Sequence, residues 1–104
     1  MAAAAAYDDI LAMLPQGMKE NNAGIYPGYF LSLGMENEDV RNLQTYLKGI
    51  ADYSGVIPPI AVTGVFDEAT RDAVAALQAQ NDLPPTGNVG PATWNLIRRL
   101  YNAR

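Results

Sequence analysis

Histidine and cysteine are both absent from the 104 residues. The chain therefore lacks the commonest general base, the commonest metal ligand, every thiolate nucleophile and every disulfide. Carboxylates remain. Glu36, Glu38 and Asp39 could form an acid/base pair, but they stand at the start of a helical pattern, where negative charge is favoured without any chemistry. Asp67, Glu68 and Asp72 could suggest calcium, yet they lack the ligand spacing of a calcium loop. No set of residues calls for a metal or a cofactor, and no catalytic residue is assigned. What is left is binding chemistry. Aromatic and amide side chains fall on loops or helix ends at Tyr29, Tyr53, Asn81 and Asn88. Two glutamines, Gln44 and Gln78, each follow an apolar leucine, where a side-chain amide would bond loop backbone.

The elements that must position these groups read as helices. Asn37 is a good N-cap, with Glu38 and Asp39 in the first turn. Val40, Leu43, Leu47 and Ile50 then make one apolar stripe at helical spacing, flanked by Tyr46 and Tyr53. Gly55, Pro58, Pro59 and Gly64 mark residues 54–64 as a loop. A second helix starts at the cap Asp67, with Thr70, Val74 and Leu77 inward and Ala73 beside them. Asn81-Asp82 ends it, and Pro84-Pro85 prevents continuation. A third begins at Gly90-Pro91, since proline is tolerated at the first helical position. Its stripe is Thr93, Ile97 and Leu100, with Trp94 and Tyr101 alongside. Ala61-Val62 and Asn88-Val89 add at most short extended pieces.

The N-terminal third reads differently. Residues 7–14 suit two helical turns, with Ile10, Leu11 and Leu14 on one face, stopped by Pro15 and Gly17. Residues 15–29 are dense in proline, glycine and asparagine and read as an extended linker or a strap along the core. The expected organisation is a short helix and linker over 1–29 and a compact all-α three-helix bundle over 30–104. Met1–Ala6 is a remnant of cloning or a frayed helix start. It is not a signal peptide, because a basic n-region is missing and Asp8 and Asp9 interrupt any apolar segment.

Charge narrows the partners. The formal net charge is −4, and Arg98–Arg99 is the one adjacent basic pair. Duplex DNA binding needs clustered cations, so nucleic acid is not expected. No apolar run approaches the ~20 residues of a membrane span.

One pattern stands above this helical frame. Val40-Arg41-Asn42-Leu43-Gln44 recurs as Val74-Ala75-Ala76-Leu77-Gln78. Thr63-Gly64-Val65-Phe66-Asp67-Glu68-Ala69-Thr70 recurs as Thr86-Gly87-Asn88-Val89-Gly90-Pro91-Ala92-Thr93, 23 residues on. Each copy is a turn that launches a helix. Gly64 and Gly87 can take the positive φ of a tight turn. Phe66 and Val89 sit just before the caps, as in a hydrophobic staple.

These residues resemble the three-helix peptidoglycan-binding domain of bacterial cell-wall hydrolases. The family pattern opens G-x-x-x-x-D-V-x-x-L-Q-x-x-L, matched from Gly34 through Asp39-Val40 and Leu43-Gln44 to Leu47. It continues D-G-x-F-G-x-x-T-x-x-A-V-x-x-F-Q, matched by Gly64, Phe66, Thr70, Ala73-Val74 and Gln78. It closes D-G-x-V-G-x-x-T-W-x-x-L, matched by Gly87, Val89-Gly90 and Thr93-Trp94. The resemblance covers about 30–104, and Tyr26-Pro27-Gly28 is similar to the lead-in of many members. Three kinds of departure matter. Thr63 and Thr86 replace the aspartate before each turn glycine, and both keep hydroxyls able to serve the turn. Asp67 replaces a glycine and is the better N-cap. Leu77 replaces a phenylalanine, one apolar side chain for another.

The resemblance implies a non-catalytic module that binds peptidoglycan, through its glycan strand or its stem peptide, and targets a linked or associated cell-wall hydrolase. It places the protein outside the cell or in the wall. The alternative is a protein-interaction or regulatory module that kept the fold and lost wall binding. Trp94 then belongs to the core, where the family packs it. Tyr29, Tyr53, Thr63, Asp67, Asn81, Thr86 and Asn88 are the candidate ligand-binding residues. Aromatic faces and amides suit sugars and peptides, and helix-start N–H groups suit carboxylates.

Overall fold

The computed structural model describes residues 25–104, which form three helices. The helical reading of 7–14 lies outside the described residues. Helix α1 spans Glu38–Ser54. The Asn37 side chain accepts the Val40 N–H at 2.9 Å, and Glu38 and Asp39 occupy the first turn. Gly55 ends the helix in the left-handed region at φ 69°, returning its N–H to the Ala51 carbonyl at 3.0 Å. Helix α2 spans Glu68–Gln80, capped by Asp67 and closed at Asn81. The next residue, Asp82, takes φ 62°, a conformation aspartate tolerates better than most side chains. Helix α3 spans Pro91–Asn102, with proline in its first turn and Gly90 as an N-cap that offers no side-chain bond.

The predicted stripes converge. Val40, Leu43, Leu47, Val74, Leu77 and Ile97 are fully buried. Trp94 is 1 % exposed and meets Tyr46 edge-to-face at a centroid distance of 5.9 Å and Tyr26 at 6.2 Å. Such pairs add ~0.5–1.5 kcal/mol each beyond their buried area. On α3 the buried face differs from the expected stripe. Leu96 is buried outside the main core cluster, and Leu100 is half-buried but packs against that cluster. Helix α1 packs chiefly on α3. Gly49 permits that approach: a Cβ there would stand 2.5 Å from the Tyr101 ring.

Among the described residues extended pairing is limited to two isolated antiparallel bridges, Leu31 with Val89 and Glu36 with Val65. The expected extended piece at Ala61–Val62 is therefore not paired, whereas Val89 is. Residues 31–37 form a strap across both turns. The Leu31 and Val89 backbones exchange hydrogen bonds at 3.0 and 2.9 Å. The Phe66 N–H donates to the Met35 carbonyl at 2.8 Å, and the Asn37 N–H to the Gly64 carbonyl at 3.1 Å. Buried Leu31 anchors the strap, and Ile57 and Ile60 pin the proline-rich loop to the core.

Candidate functional site

The repeated turns are built around the two glutamines. Gln44 is fully buried on α1. Its Oε1 accepts the Thr63 and Gly64 N–H groups at 2.9 and 2.8 Å. Its Nε2 donates to the Val65 carbonyl at 2.8 Å and to Thr70 Oγ1 at 3.0 Å. Gln78 on α2 repeats the arrangement. It accepts the Gly87 N–H at 2.9 Å and donates to the Asn88 carbonyl and Thr93 Oγ1, both at 2.9 Å. Gly64 and Gly87 hold φ 86° and 80°. A single amide brings two N–H donors and a carbonyl acceptor to the reversing chain, whereas an ionised carboxylate only accepts and a hydroxyl has one donor. Among the described residues no buried side-chain polar atom is left without a partner.

The threonines that replace aspartate serve their turns. Thr63 Oγ1 accepts the Val65 N–H at 3.1 Å, and Thr86 Oγ1 accepts the Asn88 N–H at 3.1 Å. Asp67 Oδ1 accepts the Thr70 N–H at 2.9 Å and its hydroxyl at 2.8 Å. These bonds, the backbone one first, hold its carboxyl below the ordinary value. Thr63, Thr86 and Asp67 are thus engaged within the protein. Tyr29 stands near the start of α1, donating to the Asp39 carboxylate and accepting from Asn37 Nδ2 at 3.2 Å. The bond to Asp39 raises its phenol above the usual range. Asn88 is exposed at the second turn.

Tyr53 and Asn81 lie elsewhere, and the fold brings them together. The last turns of α1, α2 and α3 meet around a groove of about 320 Å³. Its walls include Ile50, Val56, Leu77 and Leu100, and its polar rim includes Tyr53, Gln80, Asn81 and Arg104. Asn81 Nδ2 donates to the Leu77 carbonyl at 2.8 Å, which ends α2 and leaves Oδ1 as the acceptor. Gln80 Nε2 bonds the Val56 carbonyl at 3.2 Å and fixes the loop after α1. Arg104 lies over the Tyr101 ring, 3.6 Å from its centroid, with Nε donating to the Tyr101 carbonyl at 2.6 Å. Tyr53 is 69 % exposed.

The candidate residues therefore separate into two poles, Thr63, Asp67, Thr86 and Asn88 at the turns and Tyr53 and Asn81 at the groove, with Tyr29 beside the α1 start. Sequence reasoning missed Arg104 and Gln80, which become rim residues only because the three helix ends converge. It also missed Phe30, which is 62 % exposed and lies against Gly90. Its place next to Tyr29 in a breaker-rich segment was the available signal. Among the described residues no group of histidine, cysteine, aspartate or glutamate could hold a metal ion, and no helix is long and apolar enough to cross a membrane.

Comparison with known proteins gives two findings. Residues 36–97 match the family described as a peptidoglycan binding domain. A zinc D-Ala-D-Ala carboxypeptidase of Streptomyces albus G is 40% identical over 72 residues, 69% of this chain and 27% of that protein. The chain thus spans about a quarter of the length of that relative.

Proposed function

The chain belongs to the peptidoglycan-binding domain family, and from that premise we propose that it is a non-catalytic module that holds an associated cell-wall hydrolase on its polymer. The observation that carries this reading is the family match over 36–97, which takes in both clamped turns and most of all three helices. The physical benefit is tethering. A module bound to the wall turns each further encounter of its partner with the wall into an intramolecular event, raising effective concentration without any new catalytic group. The buried polar groups of the described residues, Gln44, Thr70, Gln78 and Thr93, are spent on building the turns. The carboxypeptidase likeness supports a wall-active partner, and an extracellular or wall location follows from the same reading.

Co-sedimentation of the full chain with purified sacculi tests the proposal. Enrichment over a heat-denatured control is expected, and equal recovery of both overturns it. A second reading, docking to another protein, is favoured by the exposed apolar side chains of the strap and first turn, Tyr29, Phe30, Leu33 and Val65. Sedimentation showing self-association, together with no sacculus binding, would select it.

A further inference from the structure

The groove where the three helices end has a chemistry that the turns lack. Thr63, Asp67 and Thr86 at the turns are engaged in internal bonds, whereas the groove rim gathers an amide oxygen and a guanidinium at one apolar cleft. We infer that this groove seats a short peptide ending in a carboxylate, so that the module reads the peptide stem of peptidoglycan and not its glycan strand. The inference rests on the wall-binding reading and adds to it the ligand part and the place.

Charge and wall chemistry decide between stem and strand. The floor of Ile50, Val56, Leu77 and Leu100 is aliphatic. A hexose laid there would lose water from its hydroxyls with no partner to replace it. Methyl side chains, such as those of alanine, lose nothing by such burial. Asn81 Oδ1 can accept a peptide N–H at the rim. Arg104 is the cation of the lining. Its Nε is held by the Tyr101 carbonyl and its plane by the Tyr101 ring. No ion pair among the described residues includes Arg104. Its terminal N–H groups are therefore available to a ligand carboxylate in the planar geometry that guanidinium favours. Neutral N-acetyl sugars offer no such charge. The volume, about 320 Å³, is at the small end of ligand pockets, ~300–1,000 Å³, and suits a few residues of peptide.

The test uses amide NMR shifts of the full chain with three probes: a synthetic stem peptide ending in D-alanyl-D-alanine, the same peptide with its C-terminus amidated, and an N-acetylglucosamine oligomer. The free-acid peptide is expected to shift amides of 53–56, 80–82 and 100–104. Amidation, or Arg104→Gln in the protein, is expected to weaken binding about tenfold, the scale of a lost charge-assisted hydrogen bond. Arg104→Lys recovers part of that, since it restores charge without the fork. Shifts at the groove from the sugar oligomer alone, or peptide shifts confined to the Thr63 and Thr86 turns, overturn the inference. Sacculus retention of the wild-type chain is measured alongside. Retention with no peptide response removes the groove assignment and leaves wall binding standing, whereas loss of both removes both.

Discussion

The turn at Thr63–Asp67 and the turn at Thr86–Gly90 share a clamp but not its completion. In the first, the glutamine oxygen gathers two N–H groups, those of Thr63 and Gly64. In the second it takes only that of Gly87, because the Thr86 N–H turns back to the Pro84 carbonyl at 2.8 Å. The cause is the approach of the chain. The second turn follows its glutamine after a short link that contains Pro84-Pro85, which fixes backbone angles and supplies no donors of its own. The helix starts differ as well. Asp67 closes α2 with its carboxylate, whereas Gly90 gives α3 none and is covered by the Phe30 ring. What both copies retain is one glutamine, one positive-φ glycine and two threonines. That set is the minimum the turn needs, and the cap is free to vary with whatever packs over it.

The largest effect should come from removing the clamps. Gln44→Leu leaves the Thr63 and Gly64 N–H groups and the Val65 carbonyl without their partner, and Gln78→Leu leaves one N–H fewer. A buried polar group left unpaired costs ~1–3 kcal/mol, so losses of about 4 and about 3 kcal/mol are expected. Against a typical ~5–15 kcal/mol of stability, either is severe. Urea midpoints at unchanged slope measure the difference. Equal losses at the two positions would break the comparison, because the additional N–H at the first turn would then count for nothing.

A smaller contrast separates the glycines. Both hold positive φ, which costs a residue with a Cβ ~1–2 kcal/mol. At Gly64 the nearest atom to an added Cβ is the Arg41 guanidinium at 3.3 Å, which can move aside. At Gly87 the added atom would stand 2.5 Å from Arg71 Cγ and 3.3 Å from the Arg71 carbonyl. Gly87→Ala should therefore lower the melting temperature more than Gly64→Ala. Adding Arg71→Ala should recover the side-chain part of the difference and leave the backbone part. If Arg71→Ala recovers nothing, the strain lies in φ and the Arg71 carbonyl contact, and the side chain contributes none.

Much of this was legible in the residues. Helix caps at Asn37 and Asp67, the stop at Asn81-Asp82 and the inward faces follow from local chemistry that acts within a few residues of itself, and the repeat pointed to equivalent turns. Leu31, Ile57 and Ile60 were not legible. They stand in short apolar runs, Tyr29-Phe30-Leu31, Val56-Ile57 and Ile60-Ala61-Val62, cut by prolines and glycines, and runs that short carry no period to show which side chain turns inward. Their burial depends on where the strap and loop cross the bundle, which is a property of the assembled fold. The groove was hidden for the same reason. Tyr53, Asn81 and Arg104 belong to three separate helix ends, and only packing brings those ends to one pole. Tyr53 and Asn81 could be marked as exposed candidates, but nothing in their spacing joins them.

The smallest expected effect concerns the caps and is the one that depends on pH. Asp67→Ala should cost about 1 kcal/mol, the usual loss for an N-cap. The bonds from the Thr70 N–H and then its hydroxyl depress the Asp67 carboxyl below its ordinary 3.8. A depressed folded-state value means that the unfolded chain binds the proton first. The carboxylate's contribution is therefore whole above the unfolded value and is lost as pH falls through the folded one. Comparing urea midpoints at ~pH 7 and ~pH 3 for the wild type and Asp67→Asn isolates this part, since the amide caps without titrating. The gap between the two proteins should narrow or reverse in acid. The second turn has no counterpart, and Gly90→Asp should not create one. Its Cβ would stand 2.8 Å from the Phe30 ring, so any cap gained must first displace that ring from the start of α3. If Gly90→Asp instead stabilised the protein and made it acid-sensitive, Phe30 would be a loose cover and the two turns would be more nearly equivalent than their present packing makes them.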